Sequence, residues 1–369
     1  MPKENTAPKG TESLLQLFFD PLRPIIEAVH PEAFIEPDML MKRFEELRVC
    51  FEADYARVAE IYELLLGEEI AAYGTRAAAV FSRWEDEGGG PTLPAMLVHA
   101  IEYFGLDVDS PGVRSVMISG IMAEIPNDLQ YHGNEHYRKV LFHGIRLMAT
   151  HNNLFKTEDP ERVLGAGEII AMLAASCIHD LGHEGGDNLR DGVYTPGQME
   201  QIAFDIARSY YDEIGLDKDL MGQIETIVFC TDITFFAGDN SPCIRMKKIY
   251  KHMFWDDNSE DVSMMMMGKL RRYEDNPRLV LMAMMLHEAD VGTSAGLSYE
   301  HTVKETINII EERGLKTAGP GTVLAFLREQ LGETMFTESA KQIFGPVMAI
   351  VIEQAEQDIL RGRQTYYDD

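Results

Sequence analysis

The sequence predicts an all-α protein, specifically a multi-helix bundle around a buried site, and three features predict the class. Apolar residues recur at three- and four-residue intervals through most of the 369 residues, as they do on the inner face of an amphipathic helix. No stretch alternates convincingly with period two. No glycine-rich phosphate loop follows a strand-like segment, which argues against P-loop and dinucleotide folds.

Residues 1–11 are polar, with Pro2, Pro8 and Gly10, and read as a disordered tail. From Glu12 to about Trp84 the helical spacing is clear in Phe44, Leu47 and Phe51, then in Val58, Ile61, Leu64 and Leu65. The string EDEGGGP at 85–91 cannot continue a helix, so it separates an N-terminal helical region, 1–90, from a second unit, 91–369. Helices are predicted there near 93–104, 111–123, 132–150, 163–180, 196–213, 218–234, 275–290, 297–313 and 336–361. The run Met264–Met267 reads as core or lid packing by adaptable side chains.

The chain carries 33 basic and 61 acidic residues, a formal charge of −28, which disfavours nucleic acid and anionic membrane surfaces as partners. A small anionic substrate is still compatible, because a pair of divalent ions reverses the field within one pocket. The four cysteines, Cys50, Cys177, Cys230 and Cys243, form no CxxC pair. They indicate neither a disulfide framework nor a thiolate zinc site, and fit a reducing cytoplasm. The N-terminus has no signal-like pattern, and no stretch reaches the roughly 18 apolar residues of a membrane span.

Five of the eleven histidines fall in three short polar segments. His132 and His136, four apart at the start of a predicted helix, project from one face. His179 and Asp180 end an apolar run, where a buried carboxylate is costly unless paired or bound to metal. His183 lies one turn on, before Gly185 and Gly186. His287, Glu288 and Asp290 end a second apolar run. One nitrogen each from His136 and His179, with the carboxylates of Asp180 and Asp290, would make a four-ligand set with coordination positions left open.

These segments, YHGNEH at 131–136, HDLGHEG at 179–185 and HEAD at 287–290, resemble in order and spacing the motifs of HD-superfamily phosphohydrolases. Within that superfamily they are similar to the class I cyclic nucleotide phosphodiesterases. The resemblance covers roughly residues 120–355. It implies that His136, His179, Asp180 and Asp290 hold a first divalent metal, zinc, and that Asp180 bridges to a second, magnesium or manganese. It makes His132 the general acid, with His183 and Glu200 (in MEQIAFDIA) near the second metal's waters and Thr231 and Asp232 (in CTDIT) at the inner wall. Tyr131 would line the substrate site. From SAKQIFGP it places Gln342 on a purine and Phe344 beside it. Gly133 stands where the family has asparagine, Lys139 where it has aspartate, Glu184 where it has proline and Thr293 in place of a base-contacting asparagine.

The activity implied is hydrolysis of a 3′,5′-cyclic nucleotide, cAMP or cGMP, to the 5′-monophosphate by a hydroxide held between the metals. The alternatives are an HD-type phosphohydrolase acting on another nucleotide or phosphoester, and a catalytically silent nucleotide sensor. The expected partner is a small nucleotide. The apolar segment LLQLFFDPLRPII at 14–26 is open to two readings, a homodimer seam or a cap on the catalytic unit.

Overall fold

Most of the long apolar periodicities become helices in the computed structural model, which describes residues 11–29, 37–190, 192–257, 259 and 261–367. The tail expected over residues 1–11 lies outside the described residues up to residue 10, and Thr11 opens a short helix, Thr11–Phe18. Twelve helices of at least twelve residues carry the fold. They are α1 (Pro37–Glu60), α2 (Tyr73–Asp86), α3 (Leu93–Phe104), α4 (Pro111–Ala123), α5 (Asn134–Phe155) and α6 (Ala166–Ile178). The second half contributes α7 (Gln198–Ile214), α8 (Lys218–Phe229), α9 (Pro242–Phe254), α10 (Pro277–Asp290), α11 (Tyr299–Glu312) and α12 (Gly345–Leu360). The only strands among the described residues are β1 (Leu189–Arg190) and β2 (Val193–Tyr194), an antiparallel pair with Leu189 opposite Tyr194.

Three differences from the expected helices have local causes. The single helix expected over 336–361 is two, Glu338–Ile343 and α12, because Pro346 has no N–H to donate to the carbonyl four residues back, at Gln342, and its ring crowds that carbonyl. Helix α9 was not expected from the pattern, since Arg245, Lys247, Lys248 and Lys251 dilute its apolar face. Its start is marked nonetheless: Ser241 caps it and Pro242 occupies the first turn. The methionine run divides, with Met264 and Met267 exposed and only Met265 and Met266 packed on the core, so core packing holds for half of it.

Helices α5, α6 and α10 pack against one another at the centre of the molecule. Every residue of α6 from Ile169 to Ile178 is buried, which is what a helix apolar on all sides requires. The segment 14–26 turns Leu14, Phe18, Phe19, Leu22 and Ile26 into the core, with Leu15, Leu17 and Ile25 partly buried against it. The four cysteines are free thiols. No described helix is long and apolar enough to cross a membrane.

The N-terminal helices and the site-bearing helices share one apolar cluster. Phe142 of α5 is its joint, fully buried with its ring centroid 5.3 Å from Phe81 and 5.8 Å from Trp84, both on α2. Replacing Phe142 by alanine should therefore cost about 3–5 kcal/mol. Urea unfolding of wild type and variant would measure this, and a loss below about 1 kcal/mol would show that the ring is not a joint.

Candidate metal centre and adjoining cavity

Each central helix ends or begins at the same spot. Gly133 caps α5, placing His136 in its first turn. Helix α6 stops at Ile178, delivering His179 and Asp180 just past its last turn, and Gly182, with φ of 77°, lets the chain turn away. Asp290 is the last residue of α10. These ends bring His136 Nε2 within 3.3 Å of Asp180 Oδ2, 3.1 Å of Asp290 Oδ1 and 3.4 Å of His179 Nε2. His179 Nε2 is 3.1 Å from Asp180 Oδ2 and 4.0 Å from Asp290 Oδ1. Both imidazoles are buried.

His136, His179 and Asp180 bring their ligand atoms close enough together to hold one metal ion, and Asp290 adds a carboxylate oxygen 3.1 Å from His136 Nε2. Two ligand atoms each about 2.0–2.1 Å from a zinc ion lie about 2.8–3.4 Å apart at right-angle to tetrahedral coordination, a range that contains the closest separations here. The outer contacts also fit. His179 Nδ1 is 3.2 Å from the Ser176 carbonyl, an acceptor that leaves Nε2 as the free lone pair. The Tyr137 hydroxyl donates to the Asp180 carbonyl at 2.5 Å.

Without a metal, the carboxylates must hold a proton in its place. Burial lowers the pKa of His136, but Asp180 and Asp290 outweigh it and raise the imidazole to about 10. His179 and His132 likewise outweigh burial at Asp180 and hold its carboxyl well below the usual range. One buried cation is therefore required, either a proton or an ion.

Beside this centre lies a cavity of about 320 Å³. Tyr131, His132, Asp180, His183, Glu200, Thr231, Asp232 and Asp290, all expected site residues, line its acidic end. His132 Nδ1 is 2.5 Å from Glu312 Oε1, while Glu312 Oε2 accepts from the backbone N–H of Tyr131 (2.9 Å) and of His132 (3.1 Å). Burial would raise the pKa of Glu312, yet these bonds and the imidazole hold it down to about 2. The His183 ring stacks on His132 at 3.8 Å, and burial, with the His132 ring beside it, pushes its pKa down to about 4. Asn188 Nδ2 donates to Glu200 Oε2 at 2.9 Å, and burial and Asp232 raise that carboxyl well above the ordinary range. Asp232 Oδ2 accepts from the Tyr194 hydroxyl (2.7 Å) and the Gly197 N–H (2.8 Å).

The opposite wall is apolar, with Ile233, Phe236, Ile309, Ile310 and Phe326, and carries Gln330. Gln342 and Phe344, expected on the base, do not line this cavity: Gln342 is exposed, and Phe344 is buried against His143 and Gly292. The helix break at Phe344 sets their direction. Thr293 also sits outside it, its hydroxyl 3.0 Å from His143 Nε2, because the chain enters a new helical turn after Asp290; Val291 and Ser294 face the cavity instead. Lys139 pairs with Glu305 at 2.8 Å and Glu85 at 3.4 Å. Glu312 and Gln330 were missed by sequence reasoning, since neither stands in a motif and Glu312 is 180 residues from the histidine it holds.

No family model and no curated relative matches the sequence. Among solved structures, the phosphodiesterase domain of Salpingoeca rosetta rhodopsin phosphodiesterase is similar at 15% identity and a TM-score of 0.49, over 73% of this chain and 89% of its own. LmjPDEB1 in complex with IBMX is also 15% identical, with a TM-score of 0.42, over 93% of this chain and 98% of its own.

The raised pKa of His136 makes metal binding a proton exchange. Below about pH 10 the metal-free imidazole is protonated, so an ion must expel that proton and affinity rises with pH toward this value. Calorimetric titration of the chelator-stripped protein with Mn²⁺ at pH 7.5, in buffers of different ionisation enthalpy, should show release of about one proton. Asp180→Ala should abolish the binding; tight binding by this variant would contradict the assignment.

Proposed function

We propose that the protein is a metal-dependent phosphodiesterase that hydrolyses a 3′,5′-cyclic nucleotide to the nucleoside 5′-monophosphate. The observation that carries this is the meeting of His136, His179, Asp180 and Asp290, of which Asp180 and Asp290 line a cavity that also holds His132, a histidine held by a carboxylate.

A phosphodiester is an anion, and its hydrolysis needs two things: charge neutralisation at phosphorus and a proton for the departing alkoxide. When bound, divalent ions, zinc at the four-residue centre and magnesium or manganese beside Asp180, supply positive charge against the phosphate and lower the pKa of water. The protein's residues supply the rest. His136, His179, Asp180 and Asp290 would hold the first ion, and Asp180 would also be available to the second. Glu200 and Asp232, on the same wall, order water through their oxygens.

His132 is the proton donor. Its Nδ1–H donates to Glu312, which fixes the ring and stabilises the imidazolium, so Nε2 is the nitrogen free to protonate the departing 3′ oxygen. The nucleoside then extends along the apolar wall, where Phe326 and Ile310 offer surface to a flat base and Gln330, rather than Gln342, offers an amide to its edge. A second reading, hydrolysis of another nucleotide or phosphoester, is favoured by one observation: Thr293 and Gln342, the expected base contacts, stand outside the cavity.

Assay of the purified protein with cAMP, cGMP and other phosphoesters in manganese, magnesium and zinc, with product identification, separates these readings. His132→Ala should retain bound metal while kcat falls about 100- to 10,000-fold, the usual effect of removing a general acid. Turnover at the wild-type rate would remove His132 from the mechanism.

A further inference from the structure

The loop from 124 to 133 carries Tyr131 and His132 into the cavity, and it lacks regular hydrogen bonding of its own. Gly133, which ends it, cannot bear a side chain that would brace it. A Cβ there would lie 2.4 Å from the Leu129 carbonyl oxygen and 3.1 Å from that of Asn127. The loop is folded tightly over this glycine, so side-chain contacts must set the position of His132.

Asn127 makes the necessary contacts. Its Nδ2 donates to the carbonyl oxygen of His132 at 3.1 Å and is 3.5 Å from that of His183. These are the residues whose imidazoles stack at 3.8 Å. Its Oδ1 accepts from the Leu129 N–H at 3.1 Å, and its own N–H donates to Asn134 Oδ1 at 2.9 Å. Asn134 in turn donates to the carbonyl oxygens of Ala123 and Ile125, both at 2.8 Å. One carboxamide thus ties the loop that carries His132 to His183, 56 residues along the chain from Asn127, and these two residues supply one ring each to the stack. Asn127 does not line the substrate cavity, so it acts through the groups it holds.

We infer that Asn127 is a positioning residue for proton donation: by holding the backbone carbonyls of His132 and His183 together it aims the stacked His132 ring at the leaving oxygen. Glu312 restrains the same ring from α11, and Asn127 restrains its backbone from the opposite chain neighbours. The inference rests on the phosphodiesterase reading and on the role of His132 within it.

A displacement of a proton donor affects only substrates whose leaving group needs the proton. The alkoxide of a ribose is a poor leaving group and needs it, whereas p-nitrophenolate departs without it. Asn127→Asp keeps the size and the acceptor for Leu129 but removes both Nδ2 donors; Asn127→Ala removes the carboxamide without adding charge.

The experiment is a comparison of Mn²⁺-loaded wild type and both variants on cAMP, cGMP and bis(p-nitrophenyl) phosphate, with metal content measured on each protein. In both variants kcat on the cyclic nucleotide should fall about 10- to 100-fold, as for other positioning contacts around a reactive group, with KM changed less than about twofold. Hydrolysis of bis(p-nitrophenyl) phosphate and the metal content should stay at wild-type levels. Unchanged cyclic-nucleotide turnover overturns the inference. So does parallel loss of both activities with loss of metal in both variants, which would make Asn127 a fold residue only. A wild-type protein that cleaves bis(p-nitrophenyl) phosphate but neither cyclic nucleotide overturns the functional reading itself, a different outcome read from a different sample.

Discussion

Two carboxylates face two imidazole nitrogens inside the protein, and the whole arrangement depends on a cation among them. Asp180 and Asp290 are only partly exposed, and both lie within 3.3 Å of His136 Nε2. In low dielectric such a group is costly unless the charges are balanced. A proton on His136 balances it incompletely; a divalent ion would supply the remaining charge. The same need explains why the surrounding helices end where they do. The ligands stand at the start of α5, past the end of α6 and at the end of α10, where side chains can converge without backbone in the way.

The rest of the fold holds those three ends together. A helix buried on all sides, such as α6, has no solvent face to set its rotation, so packing against α4, α5, α8 and α10 must do so. Helix α11 contributes at its C-terminal end, where Glu312 reaches His132 while Ile309 and Ile310 form the apolar wall. Metal end, proton donor and wall are thus placed by four different helices, and rigidity of the bundle is part of the chemistry.

How much of this was legible in the sequence depended on whether a residue's job is local. The helical class and the positions of α3 and α4 followed from periodicity and from Pro, Ser and Gly at their ends. The clustered residues His136, His179, Asp180 and Asp290 were legible as candidates because a His–Asp pair after an apolar run is anomalous in itself. Glu312 and Gln330 were not, because an acid or amide near a helix end carries no signal until the fold brings it to its partner. Gln342, Phe344 and Thr293 were placed by short-string similarity, which does not register a helix break at Phe344 or a new helical turn after Asp290; both changes rotate side chains out of the cavity. The glycine at 133 looked like a departure beside the site, and its reason, a carbonyl oxygen 2.4 Å from where a Cβ would sit, exists only in three dimensions.

The central claim is that one divalent ion is gripped by four side chains from distant parts of the chain. A crystal structure of the protein grown with Mn²⁺, with anomalous scattering collected at the manganese edge, tests it most directly. The account predicts an anomalous peak touching His136 Nε2, His179 Nε2 and carboxylate oxygens of Asp180 and Asp290. Four side chains that diverge, with no peak among them, would contradict it.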